Sequence, residues 1–165
     1  MNDFNGVIII NKPVGGSSHR CVSIARRALN MKKIGHTGTL DPDATGVLPI
    51  LVGNATRAAE LITASDKEYI TTLLLGVKTD TLDLSGTILE QREVNVTEDD
   101  IRSIVSTFIG NIEQIPPMYS AISVDGVRLH TLARQGIEIE RKPRPVTVHE
   151  IEIPNISLPE VTLRV

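Results

Sequence analysis

The chain is organised around residues 36–49, which read His36-Thr37-Gly38-Thr39-Leu40-Asp41-Pro42-Asp43-Ala44-Thr45-Gly46-Val47-Leu48-Pro49. The run contains two glycines, two prolines, two carboxylates and one histidine, a composition that excludes a regular helix or strand over its whole length. Pro42 fixes its own φ angle and keeps the preceding Asp41 out of the helical region. The stretch therefore predicts a constrained loop that holds Asp41 at a defined angle.

Two interpretations of Asp41 follow from this loop. One is a catalytic carboxylate carried on rigid backbone. The other is a turn residue whose side chain caps backbone N–H groups, which is the commoner use of Asp in turns. The composition of the loop leaves both open.

The length and composition of the chain limit its class. A chain of 165 residues suits one domain with a core of its own. Cys21 is the only cysteine, so a disulfide framework within the chain is excluded and a reducing compartment is indicated. Neither a signal peptide nor an apolar run near the ~20 residues of a membrane span is present. We therefore expect a soluble, cytoplasmic protein with no membrane partner.

Charge is distributed unevenly along the chain. The formal net charge is −3, yet residues 1–58 carry seven basic and three acidic side chains, a net +4, and the remainder carries −7. A basic N-terminal third is compatible with an anionic partner such as nucleic acid. A solvated helix face would explain the same residues.

Hydrophobic periodicity and turn signals predict an α+β domain, with a mixed, largely antiparallel sheet and flanking helices. Residues 6–10 are predicted to form a buried strand, and Pro49 indicates an edge position or a bulge. Ser17, Ser18 and Asn54 are candidate helix caps, and residues 97–100 resemble a capping box. Asp125-Gly126 predicts a hairpin turn, a phase change within residues 146–153 indicates another bulge, and residues 154–159 are predicted to be a loop. The predicted strands are residues 6–10, 47–52, 67–75, 86–90, 112–115, 119–124, 127–129, 146–153 and 161–165, and the predicted helices are residues 19–30, 55–62, 97–108 and 129–135.

Six segments of the chain, in order, resemble one family. They resemble the bacterial TruB-type tRNA pseudouridine synthases, which modify uridine 55 of the T-loop. The resemblance covers nearly all 165 residues. The segments are Gly6-Val-Ile-Ile-Ile-Asn-Lys-Pro-Val-Gly15, residues 35–49, Ser65-Asp-Lys-Glu-Tyr69, Thr79-Asp-Thr81, Gln114-Ile-Pro-Pro-Met-Tyr-Ser-Ala121 and Ala133-Arg-Gln-Gly-Ile137.

The resemblance implies a pseudouridine synthase-like catalytic domain and an isomerase that breaks the uracil N1–C1′ bond, turns the base and rejoins it through C5. It implies no metal and no organic cofactor. Asp41 falls on the family's catalytic aspartate, and attack on the sugar, attack on the base and removal of a ribose proton all remain open. Tyr69 falls on the active-site tyrosine, which can stack on the uracil. His36 falls on a histidine that contacts RNA once the target uridine is extruded.

Other candidate site residues follow from the same resemblance. Lys12 matches the lysine of a Lys-Pro pair at the floor of the active site, and Asp80 matches an aspartate that supports the catalytic ion pair. Basic side chains are candidates for phosphate contacts with the tRNA T-stem-loop, although ordinary surface charge explains about half of them. These are Arg20, Arg26, Arg27, Lys32, Lys33, Arg141, Lys142 and Arg144.

The chain departs from the family's pattern in two places. The family continues past residue 165 into a strand whose arginine pairs with the catalytic aspartate, and then into a small C-terminal RNA-binding domain. Residues 1–165 are therefore expected to be a catalytic domain without its C-terminal strands and helices, unless a second chain supplies them. Ser123 and His130 stand where the family commonly has lysine and tyrosine. Alternatives to an active isomerase are a non-catalytic tRNA-binding or tRNA-folding module and a structural fragment without RNA affinity.

Overall fold

The computed structural model describes residues 4–120, 122–124 and 126–165. The chain divides into two compact units, Met1–Asp66 and Lys67–Val165. Every strand pairing within the described residues is antiparallel. The predicted α+β class is confirmed, whereas a single catalytic domain over residues 1–165 stays a prediction.

The first unit is a three-stranded sheet with a helix on one face. The strand order is β1-β3-β2. Val22 of the helix packs on apolar side chains of the sheet, including Ile50, and both are only 1% exposed. The elements are β1 (Gly6–Lys12), α1 (Ser18–Leu29), β2 (Ile34–His36), β3 (Gly46–Val52), a 3-10 helix (Gly53–Ala58) and α2 (Ala59–Thr63).

Helix α1 has well-defined ends. The Ser17 side chain accepts a hydrogen bond from the Arg20 backbone N–H at 3.2 Å, which is the usual function of an N-cap serine. At the other end Asn30 adopts the left-handed conformation with φ 51°, which Asn tolerates better than most residues. The predicted helix and its Ser17 cap are therefore confirmed to within one residue.

Two predictions for this unit are wrong, and a third, the edge position of Pro49, holds only locally. Strand β1 is not buried, since Val7 and Ile9 are 48% and 63% exposed and β1 lies at an edge of the sheet. Asn54 does not cap a helix, and its side chain instead accepts a hydrogen bond from Lys33 Nζ at 2.8 Å. Pro49 lies in the central strand without a bulge.

Pro49 is tolerated in the central strand because of where β2 ends. Its carbonyl accepts a hydrogen bond from the Thr37 N–H at 3.3 Å, and the N–H and C=O of one strand residue point to the same side. The missing N–H of Pro49 therefore faces the side on which β2 stops, at His36 opposite Ile50. The position is locally an edge inside a central strand.

In its described residues, 67–120, 122–124 and 126–165, the second unit contains four small sheets and two helices. The pairings are β11-β12-β4, β10-β7, β5-β6 and β8-β9. Ile101 of α3 packs against Val161 and Leu163 of β12. The elements are β4 (Ile70–Leu74), β5 (Val77–Thr79), β6 (Ile88–Gln91), α3 (Glu98–Ser106), β7 (Gly110–Gln114), β8 (Ser123–Val124), β9 (Val127–Arg128), α4 (Leu129–Arg134), β10 (Arg144–Val148), β11 (Glu152–Ser157) and β12 (Glu160–Arg164).

The predicted strand over residues 146–153 is two strands. Strand β10 pairs with β7, whereas β11 pairs with β12 in a different sheet. The phase change in the sequence therefore marks a change of sheet. The residues after Pro154, predicted as a loop, continue β11 to Ser157. The turn of the predicted hairpin includes Asp125, which lies outside the described residues.

Candidate active site

The backbone around Asp41 is held on both sides by other parts of the first unit. On the N-terminal side, the Leu40 N–H donates to Ser18 Oγ at 2.9 Å. On the C-terminal side, the Pro42 carbonyl accepts from the Gly15 N–H at 2.9 Å. The Asp41 carbonyl itself accepts from the Ala44 N–H at 3.1 Å. The predicted constrained loop is therefore present in the structure.

Lys12 ties this loop to the turn after β1. Its side chain is fully buried, and its Nζ donates to three carbonyl oxygens, those of Pro13 at 3.0 Å, Gly16 at 2.7 Å and Pro42 at 3.2 Å. A buried ammonium needs such partners, since an unpaired charge in the interior is strongly unfavourable. Lys12 is thus placed as a support beneath Asp41-Pro42 and has no exposed atoms for contact with RNA.

The Asp41 side chain projects from this fixed backbone into solvent. Within the described residues it accepts no hydrogen bond and forms no ion pair. A carboxylate that caps a turn would accept backbone N–H groups, so the capping interpretation has no support. What remains is a free carboxylate on rigid backbone, able to act as a nucleophile, as a base or as a stabiliser of positive charge.

His36 and Arg20 lie in the same unit as Asp41. His36 ends β2 and is half-buried. Its Nδ1 accepts a hydrogen bond from the Gly38 N–H at 3.3 Å, so the neutral ring carries its hydrogen on Nε2. Arg20 is exposed in the first turn of α1. Both side chains are therefore available to a ligand at the surface of this unit.

Tyr69 lies in the second unit, immediately before β4. Its backbone N–H and C=O exchange two hydrogen bonds of 2.9 Å with Val165, and the residue is 52% exposed. The adjacent Glu68 carboxylate accepts a hydrogen bond of 2.8 Å from Arg164, which also binds Glu152. The hydrogen bond and the charge of Arg164 lower the pKa of Glu68, and the two carboxylates raise the pKa of Arg164. The backbone beside Tyr69 is anchored by this ion-pair cluster, which the sequence analysis did not find.

Asp80 belongs to a loop held by its own polar side chains. Asp80 Oδ1 accepts the Thr87 N–H at 2.8 Å. Asp83 Oδ1 accepts from the Ser85 N–H at 2.8 Å and from the hydroxyls of Ser85 and Thr81 at 2.6 and 2.7 Å, and the two hydroxyl bonds lower the pKa of Asp83. Asp80 is therefore exposed and oriented by its loop.

Arg141 and Lys142 have different environments. The Arg141 side chain is 21% exposed and its Nη2 lies 3.0 Å from Glu138 Oε1. It lines a cavity of about 440 Å³ together with Asp80 and Tyr119. Lys142 is exposed. Of this predicted pair, Lys142 is the cation available to a phosphate.

The predicted site residues are distributed over both units. Lys12, Arg20, His36 and Asp41 lie in the first unit, and Tyr69, Asp80, Arg141 and Lys142 lie in the second. The sequence analysis did not find the contact between Ser18 and Leu40, because it identified Ser18 only as a candidate helix cap.

Among the residues that the structure describes, no group of three or more His, Cys, Asp or Glu side chains is placed to hold a metal ion. In the same ranges, none of the helices combines the length and apolar character needed to cross a bilayer.

Known proteins similar to this chain are named for pseudouridylation. One relative, "tRNA pseudouridine synthase B" of Alkaliphilus oremlandii (strain OhILAs), is 54% identical over 149 residues, which are 90% of this chain and 50% of the relative. A protein of the same name from Clostridium kluyveri is 49% identical over 161 residues, 98% of this chain and 56% of the relative. The chain thus spans about half the length of the curated relatives it matches.

Solved structures match nearly the whole chain. A chain in the crystal structure of a Cbf5-Nop10-Gar1 complex aligns with a TM-score of 0.70 and 30% identity, over 98% of this chain and 39% of that one. A chain in the structure of an H/ACA RNP bound to a substrate RNA containing 2'-deoxyuridine aligns with a TM-score of 0.66 and 28% identity, over 98% of this chain and 37% of that one.

The family model that matches describes the N-terminal domain of the TruB family pseudouridylate synthases, and it covers residues 26–165. The matched range includes residues 36–49, which contain Asp41, and the whole second unit. This chain therefore belongs to the TruB family of pseudouridylate synthases.

Proposed function

We propose that this chain carries the catalytic loop of a tRNA pseudouridine synthase that isomerises uridine 55 of the T-loop, with Asp41 as the catalytic group. The observation that carries the proposal is the exposed, unpaired Asp41 carboxylate on a backbone held by Ser18, Lys12 and Gly15. The names of the relatives support the tRNA substrate.

The reaction suits a carboxylate in this setting. The N1–C1′ bond breaks, the C5–C1′ bond forms, and the hydrogen on C5 leaves while N1 takes up a proton. Positive charge develops at C1′ when the first bond breaks, and a nearby carboxylate stabilises it or forms a transient ester there. Because Asp41 is exposed, the bound RNA must exclude water for this effect to reach its full strength.

Two further side chains are proposed to act on the extruded base. Tyr69 is half-exposed at the start of β4, and its ring can stack on the uracil with the phenol near C5. His36 Nδ1 accepts a hydrogen bond from the Gly38 N–H. Its Nε2 hydrogen can therefore be donated to RNA at the position that the extruded uridine leaves. We place the reaction in the cytoplasm, which the single cysteine supports.

The test compares two carboxylates of one loop. Asp41→Asn and Asp43→Asn each remove one charge from an exposed aspartate. We expect Asp41→Asn to abolish isomerisation of uridine in a T-arm stem-loop RNA, measured as tritium release from C5, and Asp43→Asn to retain it. Tritium release by Asp41→Asn at the wild-type rate would contradict the proposal.

A second candidate function is tRNA binding without isomerisation. The observation that favours it is the absence of a cationic partner for Asp41 within the described residues, together with the net +4 of residues 1–58. This function predicts RNA affinity and no tritium release from the wild-type chain. Tritium release should stay absent even when a second polypeptide supplies the missing C-terminal strand and its arginine, and intact mass would identify such a complex. Release by that complex would instead support isomerisation by Asp41.

A further inference from the structure

Ser18 connects the first turn of α1 to the residue before Asp41. It follows the N-cap Ser17 and is 2% exposed. Its Oγ accepts the Leu40 N–H at 2.9 Å and lies 3.4 Å from the Leu40 carbonyl oxygen, to which it donates. The hydroxyl thus contacts both backbone polar groups of Leu40 across 22 positions of sequence.

The two sides of Asp41 are held unequally. On the C-terminal side, the Pro42 carbonyl has two donors, the Gly15 N–H and Lys12 Nζ. On the N-terminal side, Ser18 Oγ is the only acceptor for the Leu40 N–H among the described residues. Loss of this single hydroxyl would therefore leave the Leu40 backbone without its hydrogen bonds, while the Leu40 side chain stays packed on the core and Pro42 keeps both donors.

We infer that Ser18 is a positioning residue for the reaction, an inference that depends on the proposed function of Asp41. It acts through Leu40 by setting the direction in which the Asp41 carboxylate projects, and it does not touch RNA. Reaction rates depend steeply on such alignment, because a misplacement of about 1 Å can lower a rate about 100-fold.

The experiment compares two hydroxyls of the same helix. Ser18→Ala removes the contact to Leu40, whereas Ser23→Ala removes a hydroxyl that donates only to His19 O at 3.1 Å, within α1. The first readout is hydrogen exchange of the Leu40 amide by NMR. We expect exchange at least about ten times faster in Ser18→Ala, because the amide loses its acceptor, and no change in Ser23→Ala.

The second readout separates positioning from binding. Under single-turnover conditions, Ser18→Ala should release tritium from a C5-labelled T-arm RNA about 10- to 100-fold more slowly, with less than a two-fold change in RNA affinity. Ser18→Thr keeps the hydroxyl and should recover most of the rate. Melting temperatures of all variants establish that they fold.

Each outcome decides the inference. An unchanged rate in Ser18→Ala, a loss of affinity in place of rate, or a folded Ser18→Thr that recovers nothing would overturn it. No tritium release from the wild-type chain would contradict catalysis by this chain, and the positioning inference would then fail with it. Release by the wild-type chain at an unchanged rate in Ser18→Ala would overturn the inference alone.

Discussion

At the scale of single residues, the buried charge of Lys12 stabilises the backbone of the Asp41 loop. Its buried ammonium is satisfied by three backbone carbonyls, two of which, Pro13 and Gly16, belong to the turn after β1, and the third, Pro42, to the Asp41 loop. Lys12→Met keeps a similar length and removes all three hydrogen bonds. We expect the free energy of unfolding to fall by about 1–3 kcal/mol, because each of the three carbonyls loses a hydrogen bond from a charged donor.

Urea unfolding monitored by circular dichroism measures this change. Lys78→Met is the matched control, since Lys78 is an exposed lysine on β5 and substitutions at such positions usually change stability by less than about 0.5 kcal/mol. An equal decrease in the free energy of unfolding in Lys12→Met and Lys78→Met would show that Lys12 contributes no more to stability than an exposed lysine.

At the scale of elements, α3 depends on a reciprocal cap at its first turn. Asp100 Oδ2 accepts the Thr97 N–H at 2.9 Å and the Thr97 hydroxyl at 2.6 Å, and these bonds lower the pKa of Asp100. A carboxyl whose pKa is lower in the folded state stabilises the fold at pH values above its pKa in the unfolded state, about 3.9. This contribution is lost as the pH falls through the pKa of the folded state. Asp100→Asn should therefore lower the melting temperature at pH 7 and change it little at pH 2.

The control for Asp100→Asn is Asp99→Asn, which removes the same charge from the same turn without breaking the cap. Thermal melts at both pH values are compared with those of the wild-type chain. A melting-temperature loss in Asp100→Asn that is as large at pH 2 as at pH 7 would contradict the cap's dependence on an ionised carboxylate.

The elements that were predicted correctly from the sequence have local causes. The Thr97–Asp100 cap and the Ser17 cap lie within one turn of the helices that they start, so the sequence pattern contains the whole signal. The division into β10 and β11 depends on two partners far away in the chain, β7 and β12. Strand partners at that separation leave only a phase change in the local sequence, which a bulge would also produce.

The same distinction applies to the candidate site. The constrained backbone at Asp41 was predictable because Pro42 restricts it locally. The contact from Ser18 to Leu40 crosses 22 positions, and the contact from Lys12 to Pro42 crosses 30. Neither contact leaves a periodic pattern in the sequence, so the groups that hold the Asp41 loop emerge only from the folded chain.

At the scale of the whole molecule, charge is the property most relevant to an RNA partner. The net charge is −3, whereas residues 1–58 carry a net +4, so the proposed attraction to RNA is expected mainly from this part of the chain. Not all of those cations are free. Arg26 Nη2 donates to the Ile34 carbonyl at 2.9 Å, and Lys33 Nζ binds Asn54. Arg20, Arg27 and Lys32 are exposed and make no side-chain hydrogen bond or ion pair with the described residues.

These three cations should determine the salt dependence of RNA binding. Each phosphate contact releases counterions, so each of Arg20→Gln, Arg27→Gln and Lys32→Gln should reduce the slope of log K against log salt by about 0.7–0.9. Arg92→Gln is the control, because Arg92 is an exposed cation of the second unit paired with Glu90. Fluorescence anisotropy of a labelled T-arm RNA at several salt concentrations gives the slopes. If Arg92→Gln reduced the salt slope as much as the substitutions of Arg20, Arg27 and Lys32, the net charge of the chain would account for binding. Contacts by these three cations would then not be needed.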